Sequence, residues 1–413
     1  MDVSTVLRRL GQARELPLDD PDRLRLEHAA LALVRDGQRR RRRERERAAA
    51  RSDTQAMAAT AMGAPERVAD APVIPPEIAT ELRLRRTRTC YICKARYDRV
   101  HGLYHLLCPA CASVNAARRT ARTDLKGRRA LVTGGRVKIG HQLALKLLHD
   151  GAHVTVTTRF PNDAARRFAE VGDWKGRLRI IGLDLRDPRQ VIALTDRLLE
   201  AGDPLDILVN NAAQTIRRPA SSYAALAEGE RPDAVLPLTE PLAGLPDVSG
   251  LLPDLSPANS WSARIGDVDP VELLETQLVN AVAPFLLIDR LLPLLLASPA
   301  QRRYIINVSA VEGQFAVPNK TGRHPHTNMA KAALNMLTRT SAADLALQGV
   351  HLCSVDTGWI TDEQPAPVRE RLDRRTPLDV IDGAARLYDP IVRGEAGAPF
   401  HGVFLKDYQV APW

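Results

Sequence analysis

Thr133-Gly134-Gly135-Arg136-Val137-Lys138-Ile139-Gly140 follows the apolar run Ala130-Leu131-Val132 and leads into an amphipathic stretch from His141 to Asp150. Strand, glycine-bearing turn and helix in that order make a cradle for the phosphates of a dinucleotide. The chain turns tightly, bares backbone N–H groups and aims a helix N-terminus at the diphosphate. Such a turn can also be only a turn, so its neighbours decide the reading.

Downstream, strand-like runs at 130–133, 153–158, 178–184, 205–210, 304–309, 351–356 and 402–405 alternate with helical stretches. That alternation specifies an α/β fold, a Rossmann-type doubly wound parallel sheet over residues 126–413. One interruption, residues 214–269, is rich in Pro, Leu and Ser where such folds need a short loop. It follows the fourth strand's carboxyl end, the side on which these sheets bind ligands. A substrate lid, a docking surface and a plain surface insertion all fit it.

At 413 residues the chain is long enough for two or three units, and a 45% hydrophobic fraction suffices for a sizeable core. No apolar run reaches the length of a membrane span. The stretch from Phe285 to Leu296 is broken by Asp289, Arg290 and Pro293 and reads as a buried helix, so no membrane partner is expected. The net charge of +9 sits entirely in residues 1–125, with 25 Lys and Arg against 16 Asp and Glu; the rest holds 33 of each. Residues 1–58 read as a helical Arg-rich region, started by Asp19-Asp20-Pro21. Acids alternate with Arg39–Arg43 and the arginines after them, the pattern of an exposed helix laced with ion pairs. Without interleaved aromatics a nucleic-acid partner is a minor expectation. The Ala- and Pro-rich residues 59–85 read as a linker.

Cys90-Tyr91-Ile92-Cys93 and Cys108-Pro109-Ala110-Cys111 are two CxxC knuckles separated by fourteen residues. Cys90, Cys93, Cys108 and Cys111 therefore predict a four-cysteine zinc ribbon over residues 86–125, with a closed, structural metal. His101 and His105 lie between the knuckles but are not needed as ligands. With no secretion signal evident, the thiols suggest a reducing, cytoplasmic location.

Residues 127–413 resemble the short-chain dehydrogenase/reductase family, through several stretches in chain order. Thr133, Gly134 and Gly140 match its glycine-rich turn, with Lys138 where the middle glycine is usual. The resemblance makes residues 133–140 the phosphate cradle, in which Lys138 either reaches a phosphate or crowds it. Asp184-Leu185 is similar to the family's adenine contact, and Asn210-Asn211-Ala212-Ala213 to the segment that closes over the cofactor. Thr158 stands where an acid would hold the ribose 2′-hydroxyl, and Arg159 follows it. A guanidinium without that acid favours NADP over NAD. Asn280 resembles the helix asparagine of a water-mediated proton relay. Lys331, within Asn328-Met329-Ala330-Lys331-Ala332-Ala333-Leu334, looks like the lysine that holds the nicotinamide ribose and lowers the pKa of a catalytic tyrosine. The family further implies a homodimer or homotetramer.

Two departures stand out. Four residues before Lys331 the family has tyrosine; here it is Thr327, on the same helix face. A threonine hydroxyl is too weak an acid to replace a phenol unaided. The substrate-orienting serine becomes Ala310, with Ser309 adjacent. His324 and His326 lie just before Thr327; a histidine there titrates near neutrality and could donate the proton, so the relay is expected to be Thr327 or His326. The leading expectation is an NADP-dependent oxidoreductase acting on a carbonyl or imine carbon of a small molecule, with Lys331, Asn280, Ser309, Thr327 and His326 at the reacting end. The alternative is a catalytically silent NADP-binding module that serves a protein partner as an interaction or regulatory platform.

Overall fold

The computed structural model describes residues 2–76, 81–230, 246–318, 320–372 and 374–413. Parts of the expected linker and insertion, 77–80 and 231–245, lie outside them.

The N-terminal region is helical, as its sequence predicts. After α1 (Val3–Gln12), α2 (Pro21–Ala58) starts where the Asp20 carboxylate accepts from the N–H groups of Asp22 and Arg23, with Pro21 in the first turn. At 38 residues it is about 57 Å long. Ion pairs one turn apart, Arg23–Glu27, Arg40–Asp36 and Arg42–Glu46, lace its exposed surface. Its last turns are anchored to the rest of the protein. There Met57 is buried and the Asp53 carboxylate accepts from the backbone N–H groups of Arg85 and Arg86.

The cysteine module is a hairpin, β1 (Glu81–Thr89) and β2 (Arg96–His101), followed by α3 (Pro109–Arg119). Its first strand begins five residues before the expected boundary, and the second knuckle opens a helix. Too small to enclose a core, the module shares one with the sheet domain. Leu84, Tyr97, Leu103, Tyr104 and Leu107 pack with Ile360, Leu378 and Val380. Met62 and Val73 join the same cluster, which corrects the linker reading of 59–85. A free linker would leave those side chains in water; here their burial holds residues 59–76 against the body. Arg119 closes the joint. Its fork donates to Asp379 and lies 3.1 Å from Asp382, while the Tyr104 hydroxyl donates to Asp382 at 2.6 Å.

The remaining chain alternates strand and helix. It runs β3 (Arg129–Thr133), α4 (Lys138–His149), β4 (His153–Thr158), α5 (Pro161–Val171), β5 (Leu178–Gly182), α6 (Pro188–Ala201) and β6 (Ile207–Asn210). The described part of the insertion contributes α7 (Ala224–Gly229). Then come α8 (Pro270–Gln277), a π-helical turn (Leu278–Val282), α9 (Ala283–Leu296), β7 (Arg303–Ser309), α10 (Pro325–Leu347) and β8 (Val350–Asp356). The chain ends in α11 (Ala366–Leu372), α12 (Val380–Glu395), β9 (Phe404–Lys406) and β10 (Gln409–Ala411). Sheet order is β10-β9-β8-β7-β6-β3-β4-β5, parallel except for the antiparallel edge strand β10.

Helices cover both faces, so strand residues such as Ala130, Val132, Ile207, Val209 and Ile306 are buried. The other face packs Leu131, Leu208 and Ile305 against Leu287, Leu291 and Leu295 of α9. The continuous α8–α9 segment is long and apolar enough to cross a membrane by composition, yet half of that stretch is buried inside the protein. Connections reverse direction between β3 and β6, which opens a crevice at their carboxyl ends.

Candidate active site

That crevice begins at the glycine turn, where tight packing explains each glycine. Gly134 has φ +69° and touches Ala212; a Cβ there would stand 3.0 Å from the Ala212 Cα. At Gly135 it would lie 2.5 Å from Val156, and at Gly140 2.3 Å from the Gly134 carbonyl oxygen. The Thr133 hydroxyl accepts from the N–H groups of Asn211 and Ala212 at 3.0 Å. In return Asn211 Nδ2 donates to the Thr133 carbonyl at 2.9 Å. The turn and the Asn-Asn-Ala-Ala segment are thus one rigid unit. α4 then starts without a side-chain cap, leaving first-turn N–H groups free at the crevice wall.

The cleft here is about 390 Å3 and brings together Gly134, Arg136–Gly140, Arg159, Asp184, Leu185, Asn211 and Ala212. Their side chains are not equally available. Arg136 donates inward to Asp163 at 2.6 Å and to the Ser249 carbonyl at 2.8 Å, so it adds only backbone to the cradle. Lys138 has φ +54°, the conformation that explains the usual glycine, and its ammonium pairs with Asp70 at 2.9 Å. Asp184 is forked onto Arg186 at 2.6 Å. Arg159 is exposed at the end of β4, its guanidinium 4.6 Å from the Tyr223 ring centroid and 5.4 Å from that of Phe160.

Ile139, Thr215, Thr361 and Glu363 also line a second cavity of about 570 Å3, so the two are continuous. Lys331 and Thr327 reach it from α10. The buried Lys331 ammonium donates to the Val308 carbonyl at 2.7 Å, and burial pushes its pKa down to about 8 despite the Glu312 carboxylate. Thr327 Oγ1 lies 3.5 Å from the Thr215 carbonyl.

Three expected residues do not line this cavity. His326 faces α8, with Nε2 3.9 Å from Glu272 and neither ring nitrogen hydrogen-bonded. Adjacent helix positions diverge by roughly 100°, so a helix that aims Thr327 and Lys331 at the cavity turns His326 away. That corrects the placing of His326 at the reacting end and leaves Thr327 there. Ser309 is 2% exposed with no hydroxyl partner, and Ala310 takes the wall beside it. Asn280, in the π turn, clamps the Gln214 backbone, accepting from its N–H and donating to its carbonyl, both at 2.8 Å. It stands behind the wall as a support.

The structure adds Glu312 and Tyr91, to which the sequence gave no role, and places His324. Glu312 lines the cavity, and His324 Nε2 lies 4.0 Å from it. The His324 ring stacks on Trp261 at 4.1 Å and its Nδ1 donates to the Trp261 carbonyl at 2.8 Å. That leaves Nε2 facing Glu312. Trp261 belongs to the insertion, which therefore supplies a cavity wall. Tyr91 arrives from inside the first CxxC knuckle, its Oη accepting from the Trp359 N–H at 2.9 Å. Only its place between two cysteines marked Tyr91 in the sequence, and nothing there says where the knuckle docks.

The four cysteine sulfurs lie within 4.8 Å of one another, and Cys93 Sγ is 3.6 Å from Cys108 Sγ. Tetrahedral Zn–S bonds of about 2.3 Å require sulfur separations near 3.8 Å, so the donor set fits that ion. The Cys108 N–H donates to Cys90 Sγ at 3.3 Å, as suits a ligating thiolate. His105 is not in this group; it is buried, and burial lowers its pKa to about 4.

Residues 128–228 match the short chain dehydrogenase family and residues 247–379 the enoyl-(acyl carrier protein) reductase family. An uncharacterized protein, R665, of Acanthamoeba polyphaga mimivirus is 34% identical over 337 residues, 74% of this chain and 71% of that one. The rhamnolipids biosynthesis 3-oxoacyl-[acyl-carrier-protein] reductase of Pseudomonas aeruginosa is 27% identical over 240 residues, covering 57% and 73%. A solved putative short-chain alcohol dehydrogenase from Sinorhizobium meliloti has a similar fold, with TM-score 0.50, 21% identity and coverage of 69% and 96%.

Proposed function

Because the chain belongs to the short-chain dehydrogenase/reductase family of oxidoreductases, we propose that it uses NADP and takes its proton from Lys331, through Thr327, in place of the family's tyrosine. The observation that carries this reading is Lys331, buried on the wall of the cavity continuous with the cleft, with its pKa lowered to about 8. An ammonium that titrates there is a competent acid at neutral pH, which a threonine hydroxyl alone is not.

The uncapped first turn of α4 would hold the diphosphate, and Arg159, with no carboxylate at Thr158, would hold a 2′-phosphate. Bound NADPH supplies hydride to the carbonyl or imine carbon. Lys331 supplies the proton: its N–H bond breaks, the product O–H or N–H bond forms, and the neutral amine recovers a proton from solvent. The Val308 carbonyl fixes the Lys331 ammonium, and the Thr327 hydroxyl, one helical turn before it, would pass the proton on.

Zinc in the cysteine site is part of the same proposal, with a structural role. Exposed apolar side chains on α8–α10, Leu274, Phe285, Met329 and Met336, support a homo-oligomer, and thiols without disulfides suit a cytoplasmic location. The test is NADPH consumption with a panel of carbonyl and imine compounds, alongside calorimetric NADPH binding. Turnover that disappears in Lys331→Met while binding persists supports the proposal. Binding without turnover across the panel would instead favour the silent module.

A further inference from the structure

Buried arginines in this chain generally answer a carboxylate. Arg119 meets Asp379 and Asp382, Arg136 meets Asp163, and Arg386 meets Asp407. A different arrangement surrounds a third cavity, of about 280 Å3, between residues 67–70 and the segment around α11, where Arg67, Arg369 and Arg375 are half-buried and Arg374 is exposed. Arg67, Arg369, Arg374 and Arg375 all line it, and among the described residues none of the four forms an ion pair, although Asp70 beside them does so with Lys138.

Two of these cations are framework. Arg67 donates to the Thr376 carbonyl at 2.7 Å, its hydroxyl at 2.9 Å and the Leu378 carbonyl at 2.9 Å. Arg375 donates to the Pro65 carbonyl at 2.7 Å and the Arg67 carbonyl at 3.3 Å. Neutral oxygens take most of their N–H groups, and Asp379, Asp382 and Asp70 act on the Arg67 charge only through space. Arg369 and Arg374 make no side-chain hydrogen bond among the described residues, and Nε of both Arg67 and Arg369 is buried without a partner. Among the described residues the acids on the wall form no ion pair with them: Asp70 pairs with Lys138, Asp362 accepts from the Gln364 N–H at 3.1 Å, and Glu370 is exposed.

Like charges gathered in a partly buried cavity cost free energy unless an anion joins them. Ile360, Asp362 and Arg374 line both this cavity and the one holding Lys331, so a single molecule can occupy the two. We propose that the arginine cavity binds an anionic terminal group, a phosphate or a carboxylate, of the substrate whose reacting carbon lies at Lys331. Arg369 and Arg374 supply the free guanidinium forks, and Arg67 and Arg375 the fixed positive field. The substrate assignment rests on the oxidoreductase reading; the anion site does not.

Arginine-specific modification by phenylglyoxal, resolved peptide by peptide on the zinc-loaded full chain, separates the two. Inorganic phosphate or succinate is expected to slow modification of Arg369 and Arg374, and the stronger protector identifies the anion. NADP is expected to protect Arg159 independently. Calorimetry should show that Arg369→Gln with Arg374→Gln weakens binding of that anion by roughly tenfold or more. NADP affinity should stay unchanged, because neither residue lines the cofactor cleft. Unaltered modification of Arg369 and Arg374 by both anions, with Arg159 protected by NADP, overturns the anion site alone. Anion protection without any NADP effect overturns the cofactor reading alone.

Discussion

The Lys138 ammonium lies 2.9 Å from the Asp70 carboxylate, tying the phosphate turn to a segment that arrives before the cysteine module. Lys138 occupies a left-handed backbone conformation at φ +54°, which costs a non-glycine residue roughly 1 kcal/mol. The ammonium stands on the cleft wall but is engaged by a carboxylate. Asp70→Asn should free it for a bound diphosphate and tighten NADP binding by roughly two- to tenfold at low ionic strength, with the gain shrinking in salt. Calorimetry at two salt concentrations checks this. Weaker binding in Asp70→Asn would mean that the carboxylate positions Lys138 for the cofactor.

Lys331 sets the pH response. Reduction needs its protonated form, so kcat/KM should be flat below about pH 8 and fall above it, following the lowered pKa. Lys331→Met should remove roughly two to four orders of magnitude of rate, and Thr327→Val less. Stability gives a second readout. An unfolded lysine titrates near 10.4, so between about 8 and 10.4 the unfolded chain holds a proton that the folded chain has released. Unfolding then takes up a proton, and this site's contribution to stability rises with pH across that window. Denaturant melts of wild type and Lys331→Met at several pH values should show the rise only in the wild type.

The sheet was legible because parallel strands buried on both faces are near-continuous apolar runs. The expected strand at 153–158 is β4 residue for residue, and the one at 351–356 starts one residue late. The three-residue edge strand β10 leaves no comparable pattern. At the site, the i,i+4 relation of Thr327 and Lys331 was readable, whereas His326 was misassigned by proximity in sequence. Its helical phase, one step away from Thr327, already argued against it. Tertiary joints were illegible for a different reason. Arg119 and Asp379 are 260 positions apart, and each looks like an ordinary surface charge until the fold buries both. Composition likewise marked 59–85 as linker because Ala and Pro outnumber Met62 and Val73, the two residues that pack.

Arg159 should decide the choice between dinucleotides. With Thr158 beside it and no acid at the end of β4, Arg159→Leu should reduce the preference for NADP over NAD by roughly 10- to 100-fold. Tyr223→Leu, which removes the ring 4.6 Å from the guanidinium, should give a smaller loss, about 0.5–1 kcal/mol. Competitive binding of the two dinucleotides to each variant measures both. An unchanged ratio in Arg159→Leu would shift the selectivity to Arg218, the cleft arginine that the insertion supplies.

Metal loading should reach the substrate but not the cofactor. No residue of the cysteine module lines the cofactor cleft, whereas Tyr91, between Cys90 and Cys93, lines the cavity that holds Lys331. Its hydroxyl fixes the Trp359 N–H, and the knuckle around it has no apolar core of its own apart from the shared cluster. A zinc ion would therefore hold the cavity wall through the knuckle. Elemental analysis should find one zinc per chain, lost in Cys93→Ser or after chelation. KM for the carbonyl substrate should then rise several-fold while NADP affinity and the circular dichroism of the sheet domain stay near wild type. Tyr91→Phe keeps the metal but loses the Trp359 contact, so it should reproduce part of the KM change with zinc content intact. Parallel loss of NADP binding on chelation would instead mean that the shared core around Ile360 and Leu378 transmits the damage to the whole sheet domain.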